Sequence, residues 1–263
     1  VSVPVPVIQV ADSARTLGEC SARFFRNPSS TNASLASDSD CALQLAGITG
    51  TNGKTTTAFL LRGILEAAGH KTGMLGTIEY AFGSGQVAAP LTTPAAPDIQ
   101  RMLSQMRDAN CSHAVMEVSS HGLAQGRLWG CDFAVAAFSH LTQDHLDLHG
   151  TMEAYFEAKL RLFRDHLRGT AVIHEDGAYG DRALATVRDE FRKPVLRCGR
   201  EPSCDVRLVE ARSSLAGLKL ALQFGDTRIA IDSALLGNHN AENILLAAGC
   251  AFALGVPPSA IAR

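Results

Sequence analysis

Hydrophobic residues along the chain follow two spacings that alternate with each other from residue 43 onward. Continuous apolar runs of about four to eight residues are typical of buried strands, and apolar residues at every third or fourth position are typical of helices that pack one face on a sheet. Their alternation predicts an α/β fold, in which a mostly parallel sheet has helices on both faces. The predicted strands are Leu43–Thr49, Thr72–Tyr80, His113–Val118, Phe133–Phe138 and Thr170–His174, and the predicted helices are Lys54–Ala68, Asp98–Ala109, Met152–Leu167 and Tyr179–Phe191.

The C-terminal part of the chain has a different pattern. Apolar and polar residues alternate in Arg207–Glu210, Leu218–Phe224 and Arg228–Ile231, and a Gly-Asp turn at 225–226 separates the last two segments. This pattern predicts a small antiparallel β meander. A helix over Ala241–Leu254 is expected to follow it.

The first 42 residues hold too few apolar positions for a core of their own. They contain a short extended segment, Val5–Val10, a predicted helix, Ser13–Phe25, and a stretch rich in Ser, Asn and Asp, Pro28–Asp40, that is typical of a surface linker. We therefore predict that residues 1–42 are the remnant of another domain plus a linker, and that residues 43–263 form the main domain.

Composition excludes several classes of protein. A hydrophobic content of 46% over 263 residues is ample for a buried core. The net charge of -2 provides no basic surface for nucleic acid, and no apolar run approaches the ~20 residues that span a bilayer. Seven cysteines without a C-x-x-C pair indicate reduced thiols. We expect a soluble, cytoplasmic protein without a membrane or nucleic-acid partner.

A glycine-rich turn connects the first predicted strand to the first predicted helix, and residues 47–57 read Gly-Ile-Thr-Gly-Thr-Asn-Gly-Lys-Thr-Thr-Thr. In a phosphate-binding loop (P-loop), backbone N–H groups surround a triphosphate, a lysine reaches its outer phosphates and a hydroxyl holds magnesium. Lys54 and Thr55 occupy those last two positions, although Ile48 stands where the general pattern has glycine. The turn predicts binding of ATP or GTP. The candidate loop residues are Gly50, Thr51, Asn52, Gly53, Lys54, Thr55 and Thr56.

Further candidates follow the later strands, because ligands of open α/β sheets bind beyond the carboxyl ends of the strands. Glu117 ends one strand, and its carboxylate suits a magnesium ion on nucleotide phosphates. His145 is a candidate second ligand after the next strand. A zinc site at His145 and His149 is the less favoured alternative, since a triphosphate requires a hard ion.

Lys159 lies on the apolar stripe of the predicted helix Met152–Leu167, four residues after Tyr155 and four before Phe163. A buried lysine is costly unless it is paired or neutral. A depressed pKa would make its amine available to carbon dioxide, and the carbamate would be an anionic ligand. The alternative is a surface lysine whose stem covers apolar neighbours.

The last predicted helix is preceded by asparagines that have two possible roles. Asn240 and Asn243 are placed to read the edge of a base, with His239 against its ring, but asparagine at a helix start is also a common cap.

Six segments in this order resemble the central ATPase domain of the Mur ligase family. Gln125 and Arg127, which follow the third segment, favour the MurE-type branch, whose members add the third peptide residue of peptidoglycan. The segments are Gly50-Thr-Asn-Gly-Lys-Thr-Thr56, Thr92-Thr93-Pro94, Glu117-Val-Ser-Ser-His-Gly-Leu123, Asp144-His145-Leu-Asp147, Tyr155-Phe-Glu-Ala-Lys159-Leu and Asn238-His-Asn-Ala-Glu-Asn243.

The resemblance implies an ATP-dependent amide ligase. The carboxylate of UDP-N-acetylmuramoyl-L-Ala-D-Glu would attack the γ-phosphate of ATP to form an acyl phosphate, which the amino group of meso-diaminopimelate or L-lysine would then attack. The implied catalytic residues are Lys54, Glu117, His145 and Lys159; the implied magnesium ligands are Thr55, Glu117, His145 and a carbamylated Lys159; the implied muramoyl contacts are Thr92, Thr93, Ser119, Gln125 and Arg127; and the implied adenine contacts are His239, Asn240 and Asn243.

The resemblance also limits what we expect of this chain. Mur ligases carry an N-terminal domain for the uridine end and a C-terminal domain that closes over ATP, so we expect a remnant of the first, none of the second, incomplete activity and a monomer. His174-Glu175-Asp176 stands where members often have an Asn and a pair of Asp. Another ligase of the superfamily, such as folylpolyglutamate synthase, and a P-loop binding module without ligase activity are the alternatives.

Overall fold

One eleven-stranded sheet runs through the chain in the computed structural model, which describes residues 7–29, 43–83, 85–175 and 177–262. The strand order across the sheet is β11-β10-β9-β8-β7-β6-β1-β5-β2-β3-β4. The strands are β1 Gln44–Thr49, β2 Thr72–Leu75, β3 Glu79–Ala81, β4 Gln86–Ala88, β5 His113–Glu117, β6 Phe133–Phe138, β7 Leu167–His174, β8 Val195–Gly199, β9 Val206–Ser214, β10 Gly217–Phe224 and β11 Thr227–Ser233.

The centre of the sheet is parallel and both edges are antiparallel. Strands β9, β8, β7, β6, β1, β5 and β2 run parallel to their neighbours, whereas β3 and β4 at one edge and β10 and β11 at the other turn back. After β1 the chain crosses to β2 and β5 on one side and then to β6 on the other. The carboxyl end of β1 is therefore a switch point of the topology, where open α/β sheets bind ligands.

Helices cover both faces of the sheet, and each face has its own hydrophobic core. The helices α2 and α8 pack on one face with Leu61 and Leu245, and α3, α6 and α7 pack on the other with Met102 and Phe156. The predicted fold class, including the antiparallel meander, is confirmed. The helices are α1 Ser13–Phe24, α2 Lys54–Ala67, α3 Ala96–Asp108, α4 Ser120–Ala124, α5 Leu146–His149, α6 Met152–Arg161, α7 Gly177–Ala185, α8 Asn238–Ala253 and α9 Pro258–Ile261.

The prediction of one strand over Thr72–Tyr80 is wrong. The chain leaves β2 at Leu75, bends through residues 76–78 and returns as the antiparallel β3. The bend packs against the side chain of Glu117. The amide and hydroxyl of Thr77 donate to the Glu117 carboxylate, and a Cβ on Gly76 would come within 2.6 Å of a carboxylate oxygen. A contact with a distant strand therefore decided the turn.

Two long predicted helices end earlier than their apolar stripes. The helix α6 passes into a π turn at Leu162–His166, and α7 passes into one at Thr186–Glu190. The first turn lets β7 begin at Leu167, three residues before the predicted start. The short strands β4 and β8 have no counterpart in the sequence prediction, and α8 begins at Asn238 rather than Ala241.

The N-terminal predictions are tested only in part. Residues 1–6 and 30–42, which include part of the predicted extended segment and most of the predicted linker, lie outside the described residues. The described part of the extended segment, residues 7–10, forms no strand, and α1 confirms the predicted helix. In the described ranges, every helix is too short or too polar to cross a membrane.

Candidate active site

The loop between β1 and α2 has a backbone conformation that favours glycine at two positions. Gly50 has φ 144° and Gly53 has φ 84°, both in the left-handed region. Neighbouring side chains occupy the space that a Cβ would need, since a Cβ on Gly50 would collide with the Ser139 hydroxyl and one on Gly53 with the Asn243 amide oxygen. Glycine at 50 and 53 is therefore required by conformation and by packing.

Hydrogen bonds from the end of β6 hold this loop. The Thr51 amide donates to the His140 carbonyl at 2.9 Å, and the Ser139 hydroxyl donates to the Asn52 carbonyl at 2.9 Å. The Thr51 hydroxyl also donates to the Thr142 carbonyl at 3.1 Å. The loop is thus fixed before any ligand arrives, and its N–H groups lie at the N-terminus of α2, where an anion is favoured.

Glu117 is fully buried at the end of β5, and its carboxylate accepts three hydrogen bonds. The Thr55 hydroxyl donates to one carboxylate oxygen at 2.8 Å. The Thr77 amide donates to the other oxygen at 2.8 Å, and the Thr77 hydroxyl donates to the first at 3.0 Å. A hydroxyl and a carboxylate side by side are the hard oxygen ligands that magnesium prefers.

Two lysines converge on the Gly50 carbonyl. Lys54 Nζ donates to it at 3.1 Å and to the Thr51 carbonyl at 2.8 Å, and Lys159 Nζ donates to it at 2.8 Å. Lys159 is only 1% exposed, and the Tyr155 ring lies 4.4 Å from its Nζ. The alternative of a surface lysine is therefore wrong.

Burial lowers the pKa of both lysines. For Lys54 the nearby carboxylates of Glu117 and Asp144 oppose this effect. For Lys159 the positive charge of Lys54 adds to it, so that the pKa of Lys159 lies well below its ordinary value despite Asp144. Lys159 is accordingly the more readily neutral of the two amines.

His145 has a left-handed backbone, φ 50°, at the start of α5. Its ring stands edge-on to that of His121 with centroids 5.0 Å apart, and its Nε2 lies 3.5 Å from a carboxylate oxygen of Asp144. His149 instead packs on Tyr155, at a ring separation of 5.1 Å. Within the described ranges, no group of three or more His, Cys, Asp or Glu side chains is arranged to hold a metal ion, so the zinc alternative gains no support.

Four of the five residues expected to contact a muramoyl substrate form one hydrogen-bonded group, and the fifth, Thr92, accepts a hydrogen bond from the Thr77 hydroxyl at 3.1 Å. The Thr93 hydroxyl donates to the Glu117 carbonyl at 2.9 Å and accepts from the Ser119 amide at 3.0 Å. Arg127 donates to the Thr93 carbonyl at 2.6 Å and, through Nε, to the Gln125 side chain at 2.9 Å. This group binds the Arg127 guanidinium to the same strand end that carries the Glu117 carboxylate.

A cavity of about 460 Å³ lies between these groups and the glycine-rich loop of residues 50–56, which is called the phosphate loop below. Gln125 does not line it and acts on the cavity only through Arg127. The cavity is lined by Thr51, Asn52, Gly53, Lys54, Thr55, Thr56, Thr77, Leu91, Thr92, Thr93, Glu117, Ser119, Ser120, His121, Arg127, His145, Tyr155 and Lys159.

The candidate adenine contacts lie outside this cavity, at the start of α8. Asn243 is buried against Gly53 and donates to the Asn240 side chain at 3.0 Å. Asn240 in turn donates to the Leu236 carbonyl at 2.8 Å, whereas His239 is exposed. The structure therefore brings Asn243 to the phosphate loop and leaves His239 facing solvent.

Sequence reasoning missed several residues of the site, of which Thr77, Tyr155 and Ser139 make the contacts described above. Thr77 falls within the predicted strand Thr72–Tyr80 and is therefore not a predicted site residue, although the preceding Gly76 is a turn signal. Tyr155 was assigned only to the apolar stripe, although its ring covers the Lys159 amine. No sequence signal indicated that Ser139 would hold the phosphate loop.

The chain matches the sequence pattern of the Mur ligase middle domain over residues 48–251. It is 41% identical to the UDP-N-acetylmuramoyl-L-alanyl-D-glutamate–2,6-diaminopimelate ligase of Solibacter usitatus over 259 residues, which are 97% of this chain and 49% of that protein. It is 40% identical to the ligase of the same name from Gloeobacter violaceus over 263 residues, which are 100% of this chain and 50% of that protein. The chain thus spans about half the length of the curated relatives it matches.

Solved structures show the same fold. A structure of a UDP-N-acetylmuramoyl-L-alanyl-D-glutamate–2,6-diaminopimelate ligase matches 97% of this chain and 50% of its own, with a TM-score of 0.81 and 31% identity. The folylpolyglutamate synthase of Mycobacterium tuberculosis, in complex with ADP and AMPPCP, matches 94% of this chain and 61% of its own, with a TM-score of 0.74 and 18% identity. The second likeness concerns the fold alone.

Proposed function

The chain belongs to the Mur ligase family, and from this premise we propose that it is the nucleotide-binding part of an ATP-dependent ligase that extends UDP-N-acetylmuramoyl-L-Ala-D-Glu by a third amino acid in peptidoglycan synthesis. Mur ligases are ATP-dependent amide ligases. The names of the relatives favour 2,6-diaminopimelate over L-lysine as that amino acid.

One observation carries the proposal. A single cavity is lined by the phosphate loop, by the Thr55–Glu117 pair, by Lys159 and by Arg127. A nucleotide switch requires only the first two of these features. A ligase must bring the triphosphate and an acceptor carboxylate together, and Arg127 supplies a guanidinium suited to such a carboxylate.

The residues present fit a triphosphate with magnesium. The loop packs closely against Ser139 and Asn243 only because Gly50 and Gly53 have no Cβ. The N-terminus of α2, which favours an anion, follows the loop directly. Lys54 would be the cation for the outer phosphates, and Thr55 and Glu117 would hold the magnesium ion. His145, which lines the same cavity, would be a further ligand. Magnesium would neutralise charge on the phosphate oxygens.

The chain's own residues would act mainly by position and charge. The phosphate loop would orient the γ-phosphate, and Arg127 would orient the acceptor carboxylate towards it, with Thr92, Thr93 and Ser119 along the same wall. Transfer of the γ-phosphoryl group from ATP to the carboxylate would give an acyl phosphate and release ADP. Attack by the amino group of the incoming amino acid would then form the amide and release phosphate and a proton. Lys54 would balance the charge that builds up on the phosphate oxygens.

We extend the proposal to a carbamate on Lys159. A neutral amine adds carbon dioxide and releases one proton, and the depressed pKa of Lys159 favours that neutral form. The resulting anion would be attracted to the nearby Lys54 ammonium. Nuclear magnetic resonance with ¹³C-labelled bicarbonate tests this directly, because a carbamate carbonyl signal should appear in the wild type and be missing from Lys159→Met.

The domain assignment follows from the same proposal. We assign residues 1–42 to the end of a uridine-binding domain with its linker and residues 43–263 to the ATP-binding domain. His239, Asn240 and Asn243 would form the adenine side of the nucleotide site, with the base lying against the start of α8. A monomer and a bacterial cytoplasmic location stay predictions.

Calorimetry with magnesium and a non-hydrolysable ATP analogue tests the nucleotide part. Lys54→Ala should weaken binding by about tenfold or more, because a charge-assisted hydrogen bond is worth roughly 1.5–3 kcal/mol. Lys219→Ala is the matched control, since that side chain is 79% exposed on β10. Equal binding by wild type and Lys54→Ala would refute the phosphate loop assignment.

The acceptor part is tested separately with UDP-N-acetylmuramoyl-L-Ala-D-Glu. Its binding should depend on Arg127, so that Arg127→Gln weakens it while Arg212→Gln, at a side chain 79% exposed on β9, does not. Nucleotide binding without any response to the muramoyl dipeptide would refute the substrate and favour another ligase of the superfamily. Nucleotide binding that neither a muramoyl nor a folyl substrate alters would favour a binding module.

A further inference from the structure

His174, the last residue of β7, is buried and contacts two hydrogen-bond acceptors. Its Nδ1 lies 3.2 Å from the Ser139 carbonyl oxygen, and its Nε2 lies 2.9 Å from a carboxylate oxygen of Glu242. The side chain is only 7% exposed. None of these three residues lines the cavity described above.

The two contacts determine how many protons the histidine carries. A carbonyl and a carboxylate accept hydrogen bonds but cannot donate them, and a neutral imidazole has only one N–H. Both contacts are hydrogen bonds only when both ring nitrogens are protonated. An unpaired buried acceptor is costly, so this arrangement favours the imidazolium.

The surrounding charges support the same assignment. Burial raises the pKa of Glu242, but hydrogen bonds from His174 and Arg200 outweigh it, so that the pKa of Glu242 is lowered and the group is a carboxylate. Arg200 donates to the other oxygen of Glu242 at 2.7 Å. Other titratable groups next to His174 in the sheet or the chain are Cys198, its register partner on β8, and Glu175, which follows it, and His140 follows its partner Ser139.

His174 thereby connects the two structures that hold the phosphate loop. On one side, Ser139 donates to the Asn52 carbonyl and fills the space beside Gly50. On the other side, Glu242 precedes Asn243, whose amide packs against Gly53. The contacts form a closed ring that passes through the phosphate loop, the end of β6, the end of β7 and the first turn of α8.

We propose that His174 is a positioning residue of the nucleotide site, held as an imidazolium by Glu242, which fixes Ser139 and the start of α8 against the phosphate loop. This inference rests on the proposed function, because the position matters for binding only if the loop holds a nucleotide. Loss of the ring proton would leave one N–H for two acceptors and would release one side of the phosphate loop.

The protonation state is tested by ¹⁵N magnetic resonance of the histidine side chains at pH 7. The chain has nine histidines, and His174→Gln identifies the resonances of His174 by their absence. Both ring nitrogens of His174 should be protonated in the wild type, and one should lose its proton in Glu242→Gln. A neutral ring in the wild type overturns the proposal. This measurement needs no nucleotide and is independent of the proposed function.

The positioning role is tested by binding of the magnesium–ATP analogue between pH 6 and pH 9. His174→Gln should bind about three- to tenfold more weakly than the wild type at low pH, the size expected for the net contribution of one ordinary hydrogen bond. The ratio of the two affinities should be smaller at any pH where the magnetic resonance measurement finds the ring of the wild type neutral, because the glutamine has no ring proton to lose. Titration of Lys54 and of the nucleotide affects both proteins and cancels in the ratio.

Controls separate the possible failures. His70→Gln, which changes a partly buried histidine at the opposite end of the sheet, should bind like the wild type. Thermal melting shows whether His174→Gln is folded, and Glu242→Gln supplies a second variant with the same expected loss of pH dependence. Equal affinities of wild type and His174→Gln across the range overturn the positioning role. Failure of Lys54→Ala to weaken binding would instead overturn the proposed function.

Discussion

Replacing Gly53 by alanine tests whether the phosphate loop depends on its contact with α8 as well as on its backbone conformation. Gly53 has φ 84° and packs against Asn243. Gly69 has φ 90° at the end of α2, and among the described residues no heavy atom beyond its chain neighbours lies within 4 Å of the place where a Cβ would be. The two glycines share the conformation and differ in packing. Gly69→Ala is therefore a matched control.

The structure sets the expected size of each effect. A left-handed φ costs a non-glycine residue about 1–2 kcal/mol, and both variants should lose that amount. Gly53→Ala must also displace the amide of Asn243, which is buried and bonded to Asn240, and overpacking of this kind costs about 1–3 kcal/mol. Gly53→Ala should thus be less stable than Gly69→Ala by about 1–3 kcal/mol.

Urea denaturation measures this difference, with the fluorescence of Trp129, the chain's one tryptophan, as the probe. The same comparison in an Asn243→Ala background completes a double-mutant cycle. Removal of the amide should make the cost of Gly53→Ala equal to that of Gly69→Ala. Nucleotide binding should be weakened only by Gly53→Ala, because only that change displaces the phosphate loop.

The result that refutes this reasoning is specific. If Gly53→Ala and Gly69→Ala lose the same free energy of unfolding with Asn243 in place, the contact between the loop and α8 contributes nothing, and α8 does not hold the loop. A normal nucleotide affinity in a folded Gly53→Ala would likewise show that the loop tolerates displacement.

Three further variants test other parts of the site and the core. In protein kept free of bicarbonate, so that no carbamate forms, Lys159→Met should raise the free energy of unfolding at pH 7, because an unfolded lysine binds a proton that the buried one resists. The gain should shrink as pH rises towards about 10.4, and urea denaturation showing a constant gain would contradict this. Burial lowers the pKa of His166 to about 4, so the wild type should lose stability as pH falls from about 6.5 to 4, and His166→Phe should lose roughly 2–3 kcal/mol less in denaturation over that range. Thr77→Val should weaken magnesium-dependent nucleotide binding in calorimetry without changing binding in the absence of magnesium, since its hydroxyl bonds to Glu117 at 3.0 Å.

Much of the fold could be predicted because it depends on local patterns. Apolar runs such as Phe133–Phe138 and the stripe of α2 record burial directly, and their alternation requires a parallel sheet with helical crossovers. The position of Lys159 on the apolar stripe of α6 likewise indicated a buried amine. Such signals lie within one element of the chain.

The incorrect predictions concern features for which the local hydrophobic pattern carries no signal. The strand predicted over Thr72–Tyr80 is broken because Gly76 and Thr77 bend around the carboxylate of Glu117, which is 40 residues from Thr77. The π turn after α6 has no signature that the apolar stripe reveals, because the stripe continues through it.

The sequence by itself determined the type of fold and the family and predicted the phosphate loop, because glycine spacing, the Lys54-Thr55 pair and apolar periodicity are all read within short segments. Only the tertiary structure decided which distant groups meet. Lys159 and the Gly50 carbonyl are 109 residues apart in the chain, and His174 and Glu242 are 68 residues apart. These contacts depend on the order of strands in the sheet and on which face each helix packs, and the lowered pKa of Lys159 follows from that packing.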